Sequence, residues 1–184
     1  PHPFPQRGAS DRSMGGFEAA GGEGFLPGRD LHALAEGTVV ASHDAEGDRR
    51  MRGVGGAGAD LSPEEWSRAT ITAPEGSHEV PAPTWEEVLA ALGGDIVLVP
   101  ELKVSDPAAV EAFIVSVERR DLGESIVAQS FDREVTREFS DAGLHTLRLL
   151  RADDQPDPEE LVADGVEFVG PPVDVDPAYV AALQ

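Results

Sequence analysis

The sequence predicts an α/β fold on a parallel sheet, and three observations carry that prediction. A continuous apolar run without polar alternation stands at residues 96–99, which is the pattern of a strand covered on both faces. Each apolar strand is followed by a short loop and then by a helix announced with its own cap. From residue 81 onward the βα unit repeats, and right-handed crossovers make such a series parallel, as an open doubly wound sheet or a closed barrel.

The elements follow in order. Residues 38–42 form an extended run closed by His43 and Asp44. Residues 49–60 hold several glycines and no apolar period, so they read as an exposed loop. Ser62-Pro63-Glu64-Glu65 starts a helix, with proline at the first helical position and Glu65 completing a capping box. Thr84-Trp85-Glu86-Glu87 is a second box, and Gly93-Gly94 ends its helix. A strand is expected at 96–102, a helix from Asp106-Pro107 to about residue 119, and a strand at 125–130. A helix at 132–141, a strand at 145–150, a helix from Asp157-Pro158, a short strand at 166–169 and a helix from Asp176-Pro177 complete the series. Trp66 and Trp85 fall in amphipathic helices and are expected to pack in the core.

Composition narrows the function. A chain of 184 residues supports one domain with a real core, taken as 1–184. The formal net charge of −21 repels nucleic acid and anionic membrane surfaces. No cysteine occurs, which excludes disulfides and thiolate metal sites. No apolar stretch approaches the roughly 20 residues of a membrane span and no signal-peptide pattern is visible, so a cytoplasmic location is expected. Gly53-Val54-Gly55-Gly56 follows no strand and opens no helix, and therefore fails as a nucleotide fingerprint. Asp44, Glu46 and Asp48 alternate as calcium loops do, but Gly47 and the missing terminal Glu break the EF-hand pattern.

Ligand sites of parallel α/β proteins gather at strand carboxyl ends, and polar residues stand there. Arg7 lies near the first strand end, Asp30 near the second, His43-Asp44 after the next, and Glu101 with Lys103 after the run at 96–99. In a barrel these would converge, giving two carboxylates for a hard cation, a histidine for proton transfer, and Lys and Arg for an anion. Such a set suits cleavage of a phosphoryl ester. An acid abutting an apolar strand is costly unless it is paired or binds metal, which singles out Glu101. Lys103 is its obvious ion-pair partner, so a purely structural pair is the competing account. For Asp30 it is a surface salt bridge, and for His43 a capping or packing role.

Taken together, Gln6-Arg7-Gly8-Ala9, Asp30 seven residues before Gly37, the run from Thr38 to His43-Asp44, Pro83-Thr84-Trp85-Glu86-Glu87-Val88-Leu89, and Glu101-Leu102-Lys103 form an ordered set of landmarks. With Gln129-Ser130-Phe131 at a later strand end, the set resembles the glycerophosphodiester phosphodiesterase family over nearly the whole chain. The resemblance implies a TIM-type (β/α) barrel, incomplete at its C-terminal end. Val166 to Pro172 resembles the family's penultimate strand, and no Trp-Thr-Val-Asn strand follows. It further implies hydrolysis of a small-molecule glycerophosphodiester to an alcohol and glycerol 3-phosphate, a part of lipid metabolism, with a divalent cation, calcium or magnesium. Carried over by position, His43 would be the catalytic acid or base, Asp30 and Glu101 metal ligands, and Arg7 and Lys103 contacts to the substrate phosphate.

The chain departs from the family pattern at two of these landmarks. Gln6 stands where the first catalytic histidine belongs, and an amide does not exchange a proton near neutral pH. Gly28 stands where the first acid of a Glu-x-Asp metal pair belongs. Two readings follow: a hydrolase with impaired catalysis, or an inactive relative that binds phosphate esters or a protein partner.

Overall fold

The structure, a computed structural model, describes residues 28–42, 51–52, 60–72 and 79–184. In chain order the first half contributes β1 (Gly28–Ala33), β2 (Val39–Ala41), β3 (Met51–Arg52), α1 (Pro63–Trp66), β4 (Thr70–Thr72), β5 (Glu79–Pro81) and α2 (Trp85–Leu92). The second half alternates strictly: β6 (Val99–Leu102), α3 (Pro107–Glu118), β7 (Val127–Ser130), α4 (Arg133–Asp141), β8 (His145–Leu149), α5 (Pro158–Ala163), β9 (Phe168–Gly170) and α6 (Pro177–Ala182).

Caps written in the sequence set the helix starts. Ser62 and Thr84 each accept from the amide three residues on, while Glu65 and Glu87 reach back to the cap amides, so both capping boxes form. Asp106, Asp132, Asp157 and Asp176 accept from first-turn amides of α3, α4, α5 and α6, which satisfies donors that a helix start leaves orphaned. All these helices but α2 and α4 carry proline in the first two positions.

The main sheet has six strands in the order β2-β1-β6-β7-β8-β9. Pairing is parallel from β1 across to β9, and β2 alone runs antiparallel, against β1. The parallel sheet expected from the βα repetition is therefore present, and among the described residues it does not close on itself. A second sheet, antiparallel β3-β4-β5, covers Trp66 with Leu61, Ile71 and Ala82. It corrects one expectation. Residues 49–60 read as a loop for lack of an apolar period, yet Met51 and Arg52 pair with Ile71 and Thr70, since edge pairing needs only free backbone groups. The strand expected at 96–102 also starts later, at Val99, where β1 begins to pair with it.

Alternation along the parallel strands decides which side chains meet the helices. Leu98, Leu102, Ile126 and Ala128 are buried against α3 and α4, around Val110, Phe113, Val117, Val135 and Phe139. Phe113 lies between Trp85 (centroids 5.7 Å, planes 18° apart) and Phe139 (5.1 Å, 48°), so one ring ties three helices together. The Trp85 indole donates to Ser116 Oγ at 3.0 Å, which satisfies its N–H in the interior. The opposite side chains, including Val99, Glu101, Val127, Gln129 and Leu147, are half-buried on the other face of the sheet.

At the amino-terminal edge of β8, His145 Nδ1 meets Glu167 Oε2 at 2.9 Å, and that hydrogen bond raises the imidazole above its ordinary 6.5. A raised folded value contributes stability that is fully present below 6.5 and is lost as pH rises from there through the higher folded value. In an NMR titration His145 is expected to lose its proton above pH 6.5, and Glu167→Gln to bring it back toward that value. The difference in thermal midpoint between the two proteins should shrink toward zero as pH rises to 9.

Candidate functional site

The carboxyl ends of β1, β6, β7 and β8 lie side by side, because parallel neighbours end on one edge of the sheet. Asp30 on β1 is in register with Glu101 on β6, and Lys103 continues the pairing through its amide to Leu31 O at 3.0 Å. Register places the two acids on the same face, next to one another.

Lys103 reaches back two residues to join them. Its Nζ donates to Glu101 Oε1 at 2.8 Å and to Asp30 Oδ1 at 3.0 Å. The side chains of Glu101, Lys103 and Asp30 are 13%, 22% and 28% exposed, so the triad is neither a surface pair nor sealed off. Burial raises the Glu101 carboxyl above its usual range, the Lys103 ammonium opposes that, and the neighbouring Asp30 charge adds to the rise. For Lys103, desolvation pulls the other way, but hydrogen bonds to Glu101 and Asp30 outweigh it and the ammonium is held above its usual value. With all three groups ionised, the cluster carries one net negative charge. A further cation is welcome there, and a bare anion is not.

The cavity beside this cluster, about 550 Å³, is lined by Glu101, Lys103, Ser105, Ser130, Phe131, Asp132, Arg133 and Arg151. Side chains stitch the neighbouring strands together: Ser130 Oγ donates to Leu102 O at 3.1 Å in the cavity lining, and Gln129 Nε2 donates to Val99 O at 2.8 Å. Ser105 donates to Asp132 Oδ2 at 2.6 Å, and this bond, ahead of two first-turn amides of α4, lowers the Asp132 carboxyl below its usual range. Arg133 is spent on Asp164 at 2.6 Å. Arg151, two residues past β8, lies with its guanidinium carbon 4.6 Å from the centre of the Phe131 ring.

Of the five residues singled out in the sequence, Asp30, Glu101 and Lys103 come together in this cluster. Arg7 and His43 lie outside the described residues, as do Gln6 and the acidic stretch from Asp44 to Asp48. Gly28 is paired with Val99 on the same face as Asp30, and among the described residues a Cβ there would meet only Val99 O, at 3.8 Å. Sequence reasoning passed over Arg151. The rule that flagged Lys103, a basic residue just beyond an apolar strand, applies equally to the end of β8 and would have found it.

Among the described residues no group of three or more histidines, cysteines and acids is placed to hold a metal ion. The donor set that is present is two hard carboxylates in adjacent register positions. It fits magnesium chemistry, in which one or two carboxylates suffice and water and substrate oxygens complete the shell.

Fold and cleft together define a parallel α/β protein of the barrel class, with its polar groups collected where the strands end. Solved structures resemble it over most of its length, and those structures are glycerophosphodiester phosphodiesterases. A glycerophosphoryl diester phosphodiesterase, so assigned, from Silicibacter pomeroyi superposes with a TM-score of 0.78 at 22% identity, covering 96% of this chain and 77% of the other. A phosphodiesterase from Oleispira antarctica, solved with the product sn-glycerol-3-phosphate, gives 0.79 at 16% identity over 97% and 76%. A glycerophosphodiester phosphodiesterase from Parabacteroides distasonis gives 0.74 at 21% over 90% and 68%. At these identities the likeness is one of fold: the chain has the TIM-type barrel architecture of those proteins, unclosed among the described residues. No protein-family model matches the sequence. No curated protein matches it either. No helix among the described residues is long and apolar enough to cross a membrane.

Proposed function

We propose that the protein is a divalent-cation-dependent glycerophosphodiester phosphodiesterase, releasing an alcohol and glycerol 3-phosphate, with its catalytic rate lowered by Gln6 and Gly28. The observation that carries this reading is the Asp30–Glu101–Lys103 cluster at the strand ends of a barrel-type sheet whose solved likenesses are phosphodiesterases. Asp30 and Glu101 would hold calcium or magnesium, which on binding would draw charge from a phosphoryl oxygen. Lys103, hydrogen-bonded to both acids, would turn its remaining donor to a second phosphoryl oxygen, and Arg7 would add another contact. His43 would move the proton between water, phosphate and leaving alcohol. Gln6 can hydrogen-bond the substrate but cannot take a proton, so one of the two proton transfers falls to solvent.

General acid–base catalysis contributes about 10²–10⁴-fold, which sets how far the native rate should fall short. The test is release of glycerol 3-phosphate from glycerophosphocholine with calcium or magnesium. Native protein is expected to be slow, and Gln6→His with Gly28→Glu to be at least tenfold faster; among the described residues a Cβ at Gly28 meets nothing closer than Val99 O at 3.8 Å. If both proteins are silent, with bound diester detected by calorimetry, the inactive ester-binding relative is the correct reading instead. His43→Ala leaving the native rate untouched would remove His43 from the mechanism.

A further inference from the structure

Among the described residues the cleft holds one cation that no carboxylate claims. Lys103 is shared by Asp30 and Glu101, and Arg133 is committed to Asp164. Arg151 also lines the cavity, and among the described residues its side chain makes no ion pair or hydrogen bond. It rests instead over the Phe131 ring, 4.6 Å from the centroid. A guanidinium held by its face keeps its edge donors free, and those edge donors form the fork that fits the two oxygens of a carboxylate or phosphate. Arg151 is solvent-exposed at the cavity, so a ligand entering the cleft can reach those donors.

Its place in the sheet says which part of a ligand it would meet. Glu101 is level with Gln129, and Gln129 with Leu147, so Lys103 lies two residues beyond that line and Arg151 four. Arg151 therefore stands further out toward the rim. It also follows the end of a strand two places away, about 10 Å across at the usual strand spacing. A ligand whose phosphoryl group lies at Lys103 would reach the rim with its alcohol portion. A cavity of about 550 Å³ spans both positions.

We propose that Arg151, seated on Phe131, is a specificity-determining residue that selects diesters whose alcohol headgroup carries an acid, by forking onto that acid. The proposal rests on the phosphodiesterase reading and names the substrate class within it.

Glycerophosphoserine and glycerophosphoethanolamine differ by a single carboxylate and are the probes. The native protein with magnesium is expected to favour the serine ester about tenfold in kcat/KM, chiefly through KM. In Arg151→Gln the ratio should fall to within twofold of one, and Arg151→Lys should keep part of the preference, since it restores charge without the fork. A native ratio near one, or a ratio unchanged in Arg151→Gln, overturns the proposal while leaving hydrolysis intact. Should neither ester be cleaved, calorimetry on the same three proteins decides. Tighter binding of the serine ester that disappears in Arg151→Gln supports the subsite while ending the hydrolase reading; equal binding, or none, overturns it.

Discussion

Glu101→Gln is expected to lower kcat/KM for glycerophosphodiester hydrolysis at least a hundredfold while leaving the thermal midpoint unchanged or higher. The two halves of this result have one cause. Glu101 is a mostly buried carboxylate beside a second acid, and burial already pushes its carboxyl up. Below the unfolded value of about 4.5 both states hold the proton and the group is neutral to stability. As pH rises past that point the unfolded chain ionises first, so the fold loses stability until the folded group also ionises, and above that the penalty stays constant. Glutamine is isosteric and removes the penalty. Its amide oxygen can still accept from Lys103, which also keeps Asp30 at 3.0 Å. What glutamine cannot supply is the anionic oxygen proposed to hold the cation, and electrostatic stabilisation of that kind typically accounts for about 10²–10³ in rate. Steady-state assay and a melting curve on one preparation check both halves. A lower midpoint with full activity would make the pair structural.

Phe113→Ala should act the other way, on stability with no direct effect on the site. Phe113 is fully buried and joins α2, α3 and α4 through Trp85 and Phe139. Removing a buried aromatic ring costs about 3–5 kcal/mol, the lost transfer free energy plus the cavity left between rigid neighbours. Against a total of about 5–15 kcal/mol, that is a large share. For a chain of this size it corresponds to a fall in midpoint of roughly 6–20 °C. Because Trp85 stacks on the lost ring, its fluorescence should change as well. A drop of only a few degrees would mean that the core repacks around the gap.

The second half of the chain was legible because each of its elements is marked twice, by an apolar run and by a cap. Asp106-Pro107, Asp157-Pro158 and Asp176-Pro177 fix helix starts through local hydrogen bonds that need no tertiary context. β3, β4 and β5 carry no such marks. They are two or three residues long and owe their existence to pairing with one another, which a linear reading does not see. Within the site, Glu101 and Lys103 were conspicuous as charges beside an apolar strand. That Asp30 would face Glu101 depends on β1 lying next to β6, with paired positions 71 residues apart in the chain, and resemblance rather than periodicity brought it into view. Arg151 is less conspicuous because it stands two residues past β8 in the charged stretch Arg151-Ala152-Asp153-Asp154, which a linear reading takes for a solvated turn.

The ammonium shared by Asp30 and Glu101 has a consequence for the order in which the protein matures. Two acids facing each other across neighbouring strands would ordinarily push those strands apart while the sheet was forming. With Lys103 carried on the same strand as one of them, the neutralising charge is delivered by the chain itself. Assembly of the sheet then needs no outside ion to hold the two acids side by side.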